Sequence, residues 1–515
     1  MAYRDLKAVR PGINTELTAL SNREGFSLSS LIRWRWQAVE CLRGWFPLFP
    51  GAAALPGMCR AVHWWTDLVA KAHYAFGTTQ KLLVYDSVGT LTDITAPSFV
   101  PGPVSSGSTP YSLLIWSLDN WGQILIAIAS GQYVFYWDPT TPPPSQPLLG
   151  GPAQNQGGFV VMPEQIIMAY GCTPIGGGAQ DPLLLRWSSQ GDFTDWTPTT
   201  TNQAGSFRLP RGSRIIGGIQ APSIAVIWTD VDVWTAVYEG FPLVFGLFQA
   251  GSQCGLIAQK AACVLGSVTY WMSDHGIFQL ASSGAVQLPC PIWDAIYLNL
   301  DEMNEDKCLL GADYHYSEIW GFFPSVSGGT GEIDSYWKYN ITEGEWDYGP
   351  ATVGVPNEMA RTAWTDDNKP GHPLSVDLFS IIQQADTGFT VGNSNNPVPG
   401  YIRTGYQDIA DGARFQLVDQ FIPDFLWEGT SPSLDLTLYF RDYPGGQETV
   451  MGPFTIDPTT EYVTLRTAQT MTVAGVTIIA YPAVRAREVS VEIKNSQGWW
   501  RWGASRLRVA PSGSL

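Results

Sequence analysis

Six strand-like phrases, each built around a tryptophan or tyrosine, restrict this chain more than any other feature. They occupy residues 82–86, 134–138, 183–187, 225–229, 268–272 and 335–339, around Tyr85, Trp137, Trp187, Trp228, Trp271 and Trp337. The steps between those aromatics are 52, 50, 41, 43 and 66 residues. Four-stranded propeller blades repeat at about 40–50 residues. The pattern predicts an all-β chain whose main body is a β-propeller. A weaker segment at 359–386 makes the number of blades six or seven. In such an array, function belongs on loops and edges.

The composition fits that prediction. Gly 53 and Pro 37 are spread between aromatic runs, as expected for many tight turns joining short strands. Trp 22, Tyr 21 and Phe 22 supply β-propensity and large apolar area. Charged residues are 15%, against about 25% in an average soluble chain. So few charges favour a subunit of a permanent assembly, much of whose surface is covered by partners, over a secreted β-protein.

The formal net charge of −17 argues against a sequence-reading nucleic-acid binder, which carries a basic footprint. The charge is uneven. Residues 1–44 hold seven basic against four acidic side chains, and residues 485–515 hold six against two. Basic ends on an acidic body can dock on that body or on a neighbouring copy. Seven widely spaced cysteines with no CxxC pair suggest reduced, buried thiols in an intracellular assembly, and no metal site. The N-terminus has no apolar signal-peptide core. The longest apolar stretch, 45–58, is broken by Pro47, Pro50 and Pro56, so no membrane insertion is expected.

Residues 1–50 read as an N-terminal arm. Within it, Arg33 and Arg35 alternate with Ile32, Trp34 and Trp36, as on a strand. An arm of this length can reach a neighbour, so Arg33, Trp34, Arg35 and Trp36 are the candidate subunit or adaptor contacts. Residues 51–391 form the propeller. Its loops at 97–110, 139–158 and 328–331 are candidates for closing a channel, by length and Gly/Pro content. Residues 291–300 are the best helix candidate, with Trp293, Ile296, Tyr297 and Leu300 on one side. The Gly/Asn/Pro run at 392–400 marks a boundary. Residues 401–515 read as a C-terminal β-sandwich, where Leu434, Leu436, Leu438 and Phe440 alternate, as do Val489, Val491 and Ile493.

The scan for chemistry returns little. There is no G-x-S-x-G elbow, no P-loop and no close histidine pair. Gly176-Gly177-Gly178 and Asp274-His275-Gly276 read as turns. No catalytic residue, cofactor or metal ligand is assigned, and the expectation is a protein that is not an enzyme. The alternative is a glycan-binding or glycan-cleaving propeller of sialidase type. Asp192 and Asp195 beside Trp196 loosely resemble an Asp-box hairpin, and Arg208, Arg211 and Arg214 form a local basic cluster. Trp64-Trp65 and Trp499-Trp500 place adjacent indoles on opposite strand faces, so one of each pair is a candidate sugar platform.

Four phrases and the C-terminal ending carry a resemblance to a known family. The phrases are Arg10-Pro11-Gly12-Ile13-Asn14-Thr15-Glu16 with Ser30-Leu31-Ile32-Arg33-Trp34-Arg35; Arg60-Ala61-Val62-His63-Trp64-Trp65 with Lys81-Leu82-Leu83-Val84-Tyr85; Arg186-Trp187-Ser188 through Asp195-Trp196-Thr197-Pro198; and Leu209-Pro210-Arg211-Gly212-Ser213-Arg214-Ile215-Ile216 through Trp228-Thr229-Asp230. The ending is Trp502-Gly503-Ala504-Ser505-Arg506-Leu507-Arg508-Val509. In this order they resemble the tail nozzle or hub proteins of short-tailed bacteriophages, also described as packaged-DNA stabilisation proteins. The resemblance implies a propeller with added β domains, assembled as a homohexameric ring below the portal–adaptor complex. Such a ring retains packaged DNA, gives it an ejection channel and offers tail fibres or spikes a docking surface. Its partners are other copies of itself, the head-to-tail adaptor, the fibres or spikes, and genomic DNA that passes without sequence-specific binding. Its place is the virion tail, assembled in the bacterial host cytoplasm. No catalytic residues carry over.

Overall fold

In the computed structural model, the recurring phrases resolve into seven antiparallel four-stranded sheets. The structure describes residues 2–6, 10–18, 20–23, 25–102, 113–350, 360–366, 371–392, 396–409, 414–466, 469–473, 476–480 and 483–512. Blade 1 comprises Cys59–Thr66, Ala72–Thr78, Leu82–Asp86 and Leu91–Asp93. Blade 2 comprises Trp116–Trp121, Ile124–Ala129, Val134–Trp137 and Gln146–Pro147. Blade 3 comprises Gly157–Val161, Ile166–Tyr170, Leu184–Trp187 and Gly205–Arg208. Blade 4 comprises Ile215–Gln220, Ala225–Thr229, Asp232–Gly240 and Val244–Ser252. Blade 5 comprises Ala262–Leu265, Val268–Ser273, Gly276–Ala281 and Gly284–Gln287. Blade 6 comprises Leu309–Asp313, Glu318–Pro324, Ile333–Asn340 and Glu345–Pro350.

Blade 7 takes only three strands from its own stretch of chain, Arg361–Thr365, Leu374–Asp377 and Ile382–Gln384. Its outermost strand is Phe46–Pro47, which pairs Gln383 with Pro47 and Gln384 with Phe46. The N-terminal region therefore closes the ring, and a propeller boundary at residue 50 falls inside a blade. Proline is tolerated here because an edge strand leaves one N–H row unpaired. The same applies to Pro147 in the outer strand of blade 2, so the expected linker 139–158 contains a strand. First strands face one another round the ring, and the first strand of blade 7 meets that of blade 1. Between blades 4 and 5, the segment 254–261 is inserted, with Leu256 N donating to Thr229 O (3.2 Å) and Ile257 N donating to Met272 O (3.0 Å).

The aromatic phrase is not the same strand in every blade. Tyr85, Trp137, Trp187 and Trp337 lie on third strands, whereas Trp228 and Trp271 lie on second strands. The 41-residue step is short because it runs from a third strand to a second. The 66-residue step is long because it runs back from second to third and also spans two helical turns. These are the short helix Trp293–Tyr297 and the 3-10 turn Glu302–Lys307. The expected helix at 291–300 is real but only one turn and a half long.

Blade-to-blade packing explains why glycine and tryptophan are both abundant. A Cβ on Gly77 of blade 1 would stand 2.4 Å from the Trp116 ring of blade 2, and one on Gly311 of blade 6 would stand 2.3 Å from the Trp364 ring of blade 7. Each indole lies on bare backbone and donates Nε1–H to the preceding blade, Trp116 to Thr78 O (2.8 Å) and Trp364 to Ala312 O (2.7 Å). Burying an indole this way contributes about 4–6 kcal/mol before entropy, at ~25 cal/mol per Å².

The C-terminal β-sandwich is built from two sheets, and the N-terminal region supplies strands to both. One sheet orders Ala2–Asp5, Arg506–Pro511, Gln416–Ile422 and Val463–Thr464, with Val484–Ala486 paired to Gln416–Ile422. The other orders Phe26–Ser30, Tyr401–Thr404, Glu488–Trp502, Phe425–Arg441 and Thr449–Ile456, and adds the hairpin Ile32–Arg35 with Ala38–Cys41. The alternating residues predicted for this core meet across strands, Leu436 opposite Ile493, Leu438 opposite Val491 and Phe440 opposite Val489, all buried. One continuous apolar core joins the sandwich to blades 4–6, and Trp364 of blade 7 packs against it.

Candidate functional site

The sequence candidates Arg33, Trp34, Arg35 and Trp36 divide sharply. Arg33 is 1% exposed and lies inside its own chain. Its Nε and Nη2 donate to the Glu318 carboxylate (2.9 and 2.8 Å), and Nη1 donates to Asp386 (2.9 Å). Asp313 stands 3.5 Å from Nη2, and the guanidinium lies 3.4 Å over the Tyr316 ring. Trp34 is also 1% exposed and donates Nε1–H to Trp346 O (2.8 Å). Their reading as subunit or adaptor contacts is therefore corrected. Both are spent tying the N-terminal hairpin to blades 6 and 7, and freeing Arg33 would strand three buried carboxylates.

Arg35 and Trp36 sit at the tip of that hairpin and remain accessible. Trp36 is 73% exposed. Trp36 and Gln37 both have φ of 56°, as a two-residue type I′ turn requires, although such turns favour Asn-Gly. The Glu343 carboxylate compensates by accepting both N–H groups, from Trp36 (2.9 Å) and Gln37 (3.2 Å).

Behind Arg33 the cluster continues. Lys338 Nζ donates to Ile32 O (2.5 Å) and lies 3.3 Å from Glu318 and 3.9 Å from Asp347. Asp347 accepts from Tyr336 Oη (3.0 Å) and from Ser29 Oγ. Two buried cations thus face four buried carboxylates. Burial, then the neighbouring Asp386, pushes the Asp313 carboxyl well above the usual range. Burial pushes Asp347 up to about 6, against the pull of Lys338. Asp386 is held low: burial raises it, but Arg33, the Asp313 hydrogen bond and Lys338 together outweigh burial. Sequence reasoning missed these carboxylates because they lie 280–353 residues from Arg33. The one local hint was Lys338, a charge between Trp337 and Tyr339 in a strand.

The basic ends follow the same rule of internal pairing. Arg23 meets Asp408 (2.7 Å), Arg43 meets Glu428 (2.7 Å), Arg501 meets Glu40 (2.5 Å), Arg506 meets Asp5 (2.6 Å) and Arg508 meets Asp419 (2.5 Å). The N-terminal segment described here is woven into its own chain.

A second place with chemistry lies at the mouth of the propeller axis. Segments leading into the first strands of blades 2, 3, 4, 5 and 6, with the connections between the second and third strands of blades 2 and 3, converge there around a cavity of about 410 Å³. Its polar lining includes Ser130, Gln156, Gln180, Arg214, Gln259 and Asp306, and its apolar lining Leu113, Ile115, Pro182, Ile215 and Ile216. Gln259 is held fast: Nε2 donates to Ser117 Oγ (3.1 Å), Gln156 O (3.2 Å) and Tyr170 Oη (3.2 Å). Beside it, burial lowers the Lys260 ammonium to about 8, opposed by Asp119. The 3-10 turn borders the cavity and is tethered to blade 6 by Lys307. Asp306 faces Arg214 at 3.7 Å, and Lys307 reaches Glu332 (3.8 Å) and the Gly331 carbonyl. Glu332 in turn takes Arg60 Nη2 at 2.7 Å. Burial, then Asp274, Asp306 and Glu302, raise Glu305 to about 7.

Other sequence candidates have structural roles. Asp192 caps its own turn through Thr194 N (2.9 Å), and Asp195 accepts from Asn202 (2.7 Å). Arg208 and Arg211 pair with Asp181 (2.7 Å) and Asp232 (3.3 Å), apart from the cavity that Arg214 lines. Trp65, Trp499 and Trp500 are buried and Trp64 is half-buried, so the paired indoles offer no open sugar platform. Six of the seven free cysteines are buried and Cys290 is half-buried. Of the candidate channel loops, residues 103–110 of the first lie outside the described residues. The turn at 328–331 is pinned by Lys307.

No protein-family model matches the chain, and no curated protein matches it. Among solved structures it is similar to virginiamycin B lyase from Staphylococcus aureus, at 9% identity and a TM-score of 0.41, over 68% of this chain and 99% of the lyase. A streptogramin B lyase matches at 11% identity and a TM-score of 0.39, over 66% of this chain and 96% of that one. A chain of a mitotic checkpoint complex matches at 10% identity and a TM-score of 0.39, over 67% of this chain and 93% of that one. These likenesses reach no further than the propeller fold. They do correct one expectation. Two of the three are lyases, and the reading that this chain is not an enzyme is withdrawn.

Proposed function

We propose that this chain is a structural subunit of a short-tailed bacteriophage tail, forming the nozzle or hub ring below the portal–adaptor complex. The observation that carries the reading is the course of residues 2–47. They add a strand to one sandwich sheet, three strands to the other, and the closing strand to blade 7. Propeller and sandwich are thereby locked into one mechanical unit, as a ring under internal DNA pressure needs. Homohexamers of this kind use head-to-tail contacts that close by rotation. The Arg35–Trp36 tip, and Phe241, Leu243 and Phe248 exposed on the long hairpin of blade 4, offer apolar surface for such contacts. A net charge of −17 per copy would let genomic DNA slide through the lumen without adhering. Adaptor and fibre or spike proteins would dock at the two ends of the ring, in virions assembled in the host cytoplasm.

Native mass measurement tests this reading. A hexamer that binds DNA weakly at low salt is the expected result. A stable monomer, or tight DNA binding by the ring, would overturn it. A second reading, a glycan-binding propeller, is favoured by one specific observation, the polar cavity at the axial mouth.

A further inference from the structure

We propose that the axial-mouth cavity binds a neutral, polyhydroxylated ligand the size of one or two sugar units. The proposal rests on the second reading above and is independent of the tail assignment. At about 410 Å³ the cavity falls at the small end of ligand sites, which span roughly 300–1,000 Å³.

The lining decides the ligand class. Arg214 and Asp306 face each other at 3.7 Å, beyond the usual N–H···O range of up to about 3.2 Å. Their side chains are 56% and 43% exposed, so neither group is consumed by the other. A guanidinium only donates and a carboxylate only accepts. A vicinal diol satisfies both at once, since one hydroxyl oxygen can accept from Arg214 while the neighbouring O–H donates to Asp306. Gln180 commits its amide nitrogen to the Gly171 carbonyl (2.6 Å) and so has its carbonyl oxygen to offer. Gln156 adds a second amide on the same wall. Leu113 and Pro182, the more accessible apolar residues of the lining, suit the C–H face of a pyranose ring.

Charge disfavours an anionic competitor. The lining holds one cation and one anion. Asp274, Asp306 and Glu302 lie close enough to raise the neighbouring Glu305 carboxyl, and a carboxylated or phosphorylated ligand would meet that acidic group. An ammonium-bearing ligand is distinguished by the glucosamine control.

Calorimetric titration of the full chain tests the proposal, using maltose, galactose and N-acetylglucosamine, with N-acetylneuraminic acid and glucosamine as charged controls. Arg214→Ala and Asp306→Ala are the variants, and thermal unfolding checks that their exposed sites leave the fold intact. The expected result is binding of at least one neutral saccharide, weakened about tenfold or more in each variant. Saccharide binding that both variants leave unchanged would overturn this site while a glycan-binding propeller still stood. Preference for a charged control would overturn the ligand class. No saccharide binding at all would overturn both the site and the reading beneath it.

Discussion

Replacing Arg33 by methionine tests the lock between the N-terminal hairpin and the propeller. The side chain keeps a similar length and apolar stem, but four hydrogen bonds of 2.8–3.2 Å to Glu318 and Asp386 disappear. The four buried carboxylates, Asp347 included, are then left with Lys338 as their remaining buried cation. Breaking a buried charge cluster from one side costs about 3–5 kcal/mol, because the stranded charges stay desolvated. The stacking contact with Tyr316 at 3.4 Å adds to the loss. Arg33→Lys should be intermediate, since it restores the charge without the fork.

The pH dependence makes the test specific. Arg33 holds Asp386 below its ordinary 3.8. A lowered carboxyl contributes stability above the unfolded value, and that stability is lost as pH falls through the folded one. In the variant, the stranded carboxyls should take up protons more readily. The gap between wild type and Arg33→Met should therefore be widest near neutral pH and narrow on acidification toward pH ~4. Urea denaturation followed by tryptophan fluorescence measures the gap, and limited proteolysis reports release of the hairpin. A variant within about 1 kcal/mol of wild type, with a gap that does not change with pH, would refute the lock.

Two further perturbations read other parts of the fold. Gly311→Ala would set a methyl 2.3 Å from the Trp364 ring between blades 6 and 7, so denaturation should show a loss of about 1–3 kcal/mol from overpacking. Asp347, raised to about 6, should cost wild type up to about 3 kcal/mol as pH rises from ~4 to ~6. Asp347→Asn should flatten that slope in urea midpoints measured across the range, and an unchanged slope would count against the buried cluster as drawn.

Local patterning carried much of the architecture. Alternation and turn residues are short-range properties, so most strands and the apolar faces of the sandwich core were legible from residues such as Leu436, Leu438 and Val491, but not which of them pair. The aromatic repeat showed that blades exist but not which strand each aromatic occupied. A second strand and a third strand have the same period-two signature, which is how Trp228 and Trp271 came to be equated with Trp187. Short outer strands such as Gln146–Pro147 were hidden because two residues carry no period at all.

What the chain's own order determined was a repeat of small antiparallel sheets, a change of character after residue 400, and ends richer in positive charge than the body. Only the tertiary structure decided what those ends do. Phe46–Pro47 completes a blade more than 330 residues away, and Arg33 finds its carboxylates at separations of 280–353. Such partners are chosen by ring closure and by the cost of leaving a buried charge unpaired, and neither is visible in the sequence near the residue concerned. The same reason places the axial cavity beyond sequence reading, since its walls come from eight separate stretches that meet only when the propeller closes.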